Sequence, residues 1–259
     1  MKILLHSSKT MKPVDSNTLP LTKPRFLNEA VKLNKVLGQM DITALAKLMQ
    51  ISEPMAIKVE KQTEAWTKEH TASAAALTFR GDIYSGLAAN RWNSQDAQFA
   101  QNHLLIMSGL YGLLRPYDGI RPYRLEMGYR LMTDTAINLT KFWEETLVGA
   151  LDTTDTYLNL TAQEYFRVIQ QQLERATVIS PKFMTVNEKT KLPVFVTVHA
   201  KIARGSYASW MIRNRVDDPD ELLRYDELNY RYDKSLSTPT QPVFVCHQFG
   251  GLGLSTRLT

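Results

Sequence analysis

The sequence predicts a mixed α/β fold in a single domain spanning residues 1–259, and three observations carry that prediction. Short apolar runs, several rich in β-branched residues, recur along the chain and suit buried strands. They alternate with amphipathic stretches, but without the regularity of βαβ repeats. The strands are too numerous for a helical bundle, and 259 residues fit one large domain at roughly 100–200 residues per domain. No internal repeat, low-complexity tract or Gly/Ser linker divides the sequence. The expected architecture is central β-strands flanked by helices, with a helical excursion near residues 25–70.

In chain order, Lys2 to His6 reads as a short buried strand, because Ile3-Leu4-Leu5 is bounded by polar residues. Ser7 to Lys23 carries two prolines and small polar residues and reads as loop. Helical spacing runs from Arg25 to Leu37, with Gly38 as a stop. Asp41 is placed to cap a helix over Ile42 to Gln50, and Ser52 to cap another reaching about Lys68, with Pro54 tolerated in its first turn. Ala75 to Phe79 is a strand candidate. Ser94 caps a helix to Asn102, followed by a strand from His103 to Met107 and a glycine-rich turn at Gly109 to Gly112. Thr156 to Leu160 reads as a strand. Thr161 and Glu164 have capping-box spacing for a helix to Leu173. Ala176–Ile179, Phe183–Val186 and Val194–His199 are strand candidates, Lys201 to Arg215 a helix, and Asn229–Tyr232 and Val243–Cys246 late strands. Residues from Gly250 onward are expected to fray.

The hydrophobic content of 44% excludes intrinsic disorder and collagen-like architecture. One cysteine, Cys246, excludes an internal disulfide framework and any all-cysteine metal site. No apolar run approaches the ~20 residues needed to cross a bilayer, and the start is too polar after Leu5 for a signal peptide. A cytoplasmic protein with no membrane association is expected. The net charge of +5 permits a polyanionic partner, and the first sixty residues hold most of the surplus.

Four stretches could carry chemistry. Ser7-Ser8-Lys9-Thr10 follows the first strand, where α/β proteins place ligand-binding groups, and Lys9 could take a phosphate. It lacks the glycines of a P-loop, so a solvated loop lysine is the ordinary alternative. In Phe79-Arg80-Gly81-Asp82, Asp82 could be a general base, or Arg80 and Asp82 could pair to brace a turn. The segment Ser108 to Gly128 sets Arg115, Arg121 and Arg124 on a backbone stiffened by proline and glycine, with Glu126 near its end. Stiff arginines lose little entropy on binding anions. The interleaved Tyr111, Tyr117 and Tyr123 suit base stacking, or else fill the core. On the helix after His199, Lys201, Arg204 and Arg215 share a wedge with Ala208, and Gly205 would let a phosphate approach. The five histidines show no metal-ligand spacing, so no metal and no cofactor are expected.

Five blocks together resemble the YaaA family of bacterial peroxide-stress proteins: Ser7 to Thr10, Phe79 to Leu87, Ser108 to Gly128, Asn159-Leu160 with Glu164-Tyr165-Phe166, and Ala200-Lys201 with Ala203-Arg204-Gly205. The resemblance implies a cytoplasmic protein linked to hydrogen peroxide resistance and to limiting free iron, on a family-specific fold. It also implies binding of duplex or branched DNA through a basic cleft and a helix-hairpin-helix element, for which Ile42 to Lys58 is the only fitting segment. That segment lacks the usual hairpin glycines, and Cys246-His247 replaces an expected basic residue near the end of the last strand.

Two functions follow. In the first, Lys9, Arg80, Arg115, Arg121, Arg124, Lys201 and Arg204 line one groove and grip DNA phosphates without reading sequence. In the second, basic groups hold the phosphate of a nucleotide or nucleic acid in a pocket, and Asp82, Glu126 or Glu164 catalyse glycosidic-bond or transfer chemistry. Direct iron binding is a weaker third idea, because no 2-His-1-carboxylate spacing is visible.

Overall fold

The computed structural model describes residues 1–14, 18–68 and 72–251. The expected fraying beyond 251 and the histidine at position 70 lie outside the described residues. Strand β1 (Lys2–His6) forms as its apolar run predicts, with Ile3, Leu4 and Leu5 all buried. The helical excursion comprises α1 (Leu27–Gly38), α2 (Ile42–Met49) and α3 (Glu53–Lys68). Asp41 caps α2 by accepting the Ala44 amide at 2.7 Å. α2 and α3 make a helical hairpin whose turn runs through Gln50, left-handed at φ 51° where glycine would be easier. The hairpin's identity as a DNA-binding helix-hairpin-helix rests on the family resemblance alone.

The expected strand at Ala75–Phe79 is corrected. Pairing ends after β2 (Ser73–Ala74), and the alanine-rich Ala75–Thr78 closes into a helical turn, α4, because alanine favours helix and no β-branched run opposes it. α5 (Asp82–Leu87) starts from Gly81 at φ 110°, in a place read only as turn. α6 (Ser94–His103) is capped by Asn93 rather than Ser94: the Asn93 carboxamide accepts the Gln95 and Asp96 amides, and the Asp96 carboxylate accepts the Asn93 amide. Strands β3 (Leu104–Ser108), β4 (Gly112–Leu114) and β5 (Gly119–Ile120) follow. Helix α7 (Leu139–Thr146), β6 (Thr156–Asn159) and α8 (Gln163–Gln170) come next.

The capping box at Thr161–Glu164 does not form, because the Thr161 hydroxyl donates to Asn159 Oδ1 at 2.8 Å and Ala162 becomes the N-cap with no side-chain bond. After β7 (Thr177–Ile179) and β8 (Lys182–Val186), the third predicted strand shrinks to β9 (Pro193–Val194). His199 lies in α9 (Thr197–Asn214), where the Val196 carbonyl accepts the Ala200 amide at 2.9 Å. β10 (Arg231–Tyr232) and β11 (Val243–Cys246) are the last strands among the described residues.

One sheet runs β4-β3-β1-β6-β7, with β4 antiparallel and the others parallel. A second runs β10-β11-β8-β9 and is parallel only between β8 and β11. β2 and β5 pair in a small ribbon. One hydrophobic core joins both sheets, so the architecture is mixed α/β in one domain. α9 is buried along most of its length and crosses α5 at two glycines. A β-carbon on Gly205 would lie 1.8 Å from the Ile83 carbonyl oxygen, and one on Gly86 would lie 2.0 Å from that of Ile202. Gly205 therefore serves helix packing, not the phosphate approach its basic neighbours suggest.

Candidate functional site

The carboxyl edge of the parallel sheet gathers the chemistry. In open α/β sheets, the crevice beyond these strand ends, where successive connections leave to opposite sides, is the usual ligand site. β1 lies between β3 and β6 and is parallel to both, so the carboxyl ends of all three strands lie at one edge of the sheet. Its last residues deliver His6 and Ser7, β3 delivers Ser108, and the turn after β6 leads into α8 with Glu164 and Tyr165.

Two glycines bring the carboxylates in. A β-carbon on Gly109 would sit 2.2 Å from the Leu125 carbonyl oxygen, so the backbone entering Glu126 lies directly on the turn after β3. A β-carbon on Gly128 would sit 2.7 Å from Glu164 Oε2, so the Glu164 carboxylate rests against the chain just past Glu126. Glu126 is 8% exposed, and its Oε2 accepts the Tyr165 hydroxyl at 3.1 Å. That phenol lies 3.3 Å from Ser7 Oγ, and its ring stacks on His6 at 4.8 Å. Ser108 Oγ and Tyr123 Oη are 2.7 Å apart, and Tyr84 donates to the His6 carbonyl at 2.9 Å.

Burial raises the Glu126 carboxyl above the usual range, and Glu164 adds to this, while Lys9, the Tyr165 hydroxyl and Arg124 oppose it. Burial also raises the phenols of Tyr84, Tyr123 and Tyr165, which stay protonated as donors. His6 is pushed down to about 3, first by burial and then by Arg204 and Lys201. Its neutral Nδ1 accepts the Ala162 amide at 3.2 Å. Arg204 and Lys201 act on His6, Lys9 and Arg124 act on Glu126, and Tyr165 touches both His6 and Glu126, so the four cations surround one buried cluster at this edge of the sheet. None forms an ion pair among the described residues. Burial costs the Arg204 guanidinium part of its hydration.

The other predicted cations are occupied. Arg80 donates to the carbonyls of Leu77, Phe79 and Lys12, holding the loop after β1 against α4, and leaves the Asp82 carboxylate alone. Asp82 Oδ1 is buried without a hydrogen-bond partner, so of the two readings of this stretch the Arg80–Asp82 brace does not form. Arg115 pairs with the buried Asp118 at 3.0 Å. Arg121 donates to the Trp66 carbonyl at 2.7 Å and lies over that indole ring. Arg213 pairs with Glu227, and Arg215 reaches Gln95 and Asp96. Tyr111 and Tyr117 are core, as the ordinary reading has it, whereas Tyr123 is both core and part of the recess.

The sequence reading missed His6, Tyr84, Ser108 and Tyr165. The position of His6-Ser7 at the end of the first strand was the available signal. No group of three or more His, Cys, Asp and Glu among the described residues is placed to hold a metal ion. None of the described helices is long and apolar enough to cross a membrane.

A family profile described as peroxide stress protein YaaA matches residues 1–236. A UPF0246 protein of Salinispora tropica is 43% identical over 258 residues, covering 99% of this chain and 98% of the relative. A second, from Roseobacter denitrificans, is 40% identical over 236 residues, covering 88% of this chain and 91% of the relative. A third, from a Marinomonas strain, is 35% identical over 253 residues, covering 95% and 96%. With matches of that length reaching from β1 through the recess and α9, the chain belongs to the YaaA family of peroxide stress proteins.

Proposed function

We propose that this protein acts in the peroxide stress response by binding DNA through its phosphates, with no sequence preference, at the recess beyond β1 and β3. Membership in a peroxide stress family is consistent with that role. The observation that supports the reading is that Lys9, Arg124, Lys201 and Arg204, from three separate chain segments, act on one cluster around His6, Tyr165 and Glu126, and none of them forms a salt bridge among the described residues. Cations held without a protein counterion take phosphate oxygens, and such contacts position a duplex without reading its bases. Occupying phosphates also releases condensed cations, ferrous iron among them, so less iron would sit on the bound DNA where peroxide is reduced.

Titration of a labelled duplex, followed by fluorescence anisotropy, tests this. Four phosphate contacts give a log–log salt slope of about −3.6, so affinity falls roughly 150-fold between about 50 and 200 mM salt. Salt-independent binding, or no binding at low salt, would remove the reading. A second reading, catalysis, is favoured by one specific observation, the buried Glu126 carboxyl beside Glu164.

A further inference from the structure

A binder of phosphates needs cations, yet the cluster these cations surround contains groups that phosphate would avoid. Glu126 is buried there, accepts a proton-bearing phenol, and has Glu164 held beside it through the bare α-carbon of Gly128. Asp82 at the start of α5 also has a buried, unpartnered oxygen. A carboxyl buried below a cationic rim weakens anion binding, so its placement calls for a different use.

We propose that Glu126 and Glu164 form a hydrolytic pair that cleaves the N-glycosidic bond of a nucleotide whose 5′-phosphate is held by Lys9, Lys201 and Arg204. This rests on the DNA-binding reading and deepens it by naming the bond acted on. Lys9 acts on Glu126, so a phosphate held by Lys9 brings its sugar toward the carboxyls. Glu126 gives its proton to the departing base as the C1′–N bond breaks and its electron pair leaves with the base. Water adds to C1′, and Glu164 takes the proton that the water loses. The net change consumes one water and yields a free base and a sugar hydroxyl, with no oxidant or metal required. Tyr165 is a positioning residue, since its hydroxyl holds Glu126 Oε2 and its ring is fixed by His6. The burial that raises Glu126 suits a proton donor, and Glu164 reinforces it while Lys9 and Arg124 moderate it.

The full-length protein is incubated separately with an oligodeoxynucleotide and with each of the four deoxynucleoside 5′-monophosphates, and free base is measured by chromatography. Base release from the polymer or from a monomer is expected, falling roughly 10²–10⁴-fold in Glu126→Gln. Release should also decline as pH rises and the donor proton is lost. Tyr165→Phe removes a donor to the Glu126 carboxylate and shifts that pH profile to higher values if it positions Glu126 as stated, or leaves it unmoved if the ring only fills space. Glu164→Gln alters an exposed side chain, so it keeps the test open should Glu126→Gln fail to fold; it too should lose release. Wild-type protein that binds the oligonucleotide at low salt but releases no base from any substrate overturns this inference and leaves the DNA-binding reading standing. Absence of both binding and release sinks both. A Glu126→Gln variant with the wild-type rate overturns the assignment of the donor.

Discussion

Replacing Gly205 with alanine tests the α5–α9 crossing that sets the recess. The new β-carbon would lie 1.8 Å from the Ile83 carbonyl oxygen and 2.6 Å from the Leu87 amide nitrogen, whereas real β-carbons do not come within 3.0 Å of such atoms. Both obstacles are backbone, so no side chain can swing aside. The helices must part by more than an ångström, which strips contacts from the buried Ile83, Leu87, Ile202 and Ala203. Overpacking of this kind costs about 1–3 kcal/mol or more, and opening gaps around four buried side chains adds to it. Alanine's better helix propensity returns about 1 kcal/mol. The expected net loss is about 2–4 kcal/mol, against a total stability of roughly 5–15 kcal/mol. Urea denaturation followed by circular dichroism measures it as a lower midpoint. Gly149→Ala is the control. There φ is +71° and nothing lies within 4 Å, so only the backbone conformation is penalised, by about 1 kcal/mol. If Gly205→Ala proves no less stable than Gly149→Ala, the crossing does not depend on bare α-carbons and the packing argument fails. Because α9 carries Lys201 and Arg204, the same variant should also bind DNA more weakly.

Three further outcomes follow from the same geometry. His6 titrates near 3 when folded, against 6.5 when exposed, so the unfolded chain binds the extra proton between those values. Its contribution is therefore complete above pH 6.5 and lost on acidification toward 3, with a ceiling of about 5 kcal/mol at about 1.4 kcal/mol per tenfold. His6→Gln should flatten the stability–pH curve in that window; an unchanged slope refutes the assignment. Asp118 is buried and accepts from Thr22 Oγ1 at 2.6 Å, the Arg115 amide at 2.8 Å and the Arg115 guanidinium. Asp118→Ala should cost about 2–4 kcal/mol by urea denaturation, because it strands those donors. Lys201→Ala combined with Arg204→Ala should reduce the salt slope of DNA binding by about 1.8, while Arg115→Ala, already engaged by Asp118, should leave it unchanged. Equal losses in the two cases would contradict the division between free and engaged cations.

The sequence by itself determined whatever depends on neighbours a few residues apart. Ile3-Leu4-Leu5 bounded by polar residues is enough to make a buried strand, and Asp41 three residues before the Ala44 amide is enough to start a helix. The placement of Ser7 to Thr10 after the first strand is legible for the same reason, because it follows from the run Ile3-Leu4-Leu5 just before it. Tertiary structure decided what depends on partners far along the chain. Ala75–Thr78 coils because pairing with β5 ends at Ala74, and the strand expected through His199 gives way to α9 because that helix is buried against α5 and β8. Which arginine is free was equally invisible. Arg121 is bound to Trp66, 55 positions away, whereas Arg204 faces His6, nearly two hundred positions earlier. In the sequence Glu126 is one of three candidate carboxylates, and its burial against Tyr165 beside the Gly109 turn is visible only once the chain is folded. The proton affinity of a carboxyl is set by water excluded and charges within a few ångströms, and in this chain those come together only through the sheet order β3-β1-β6.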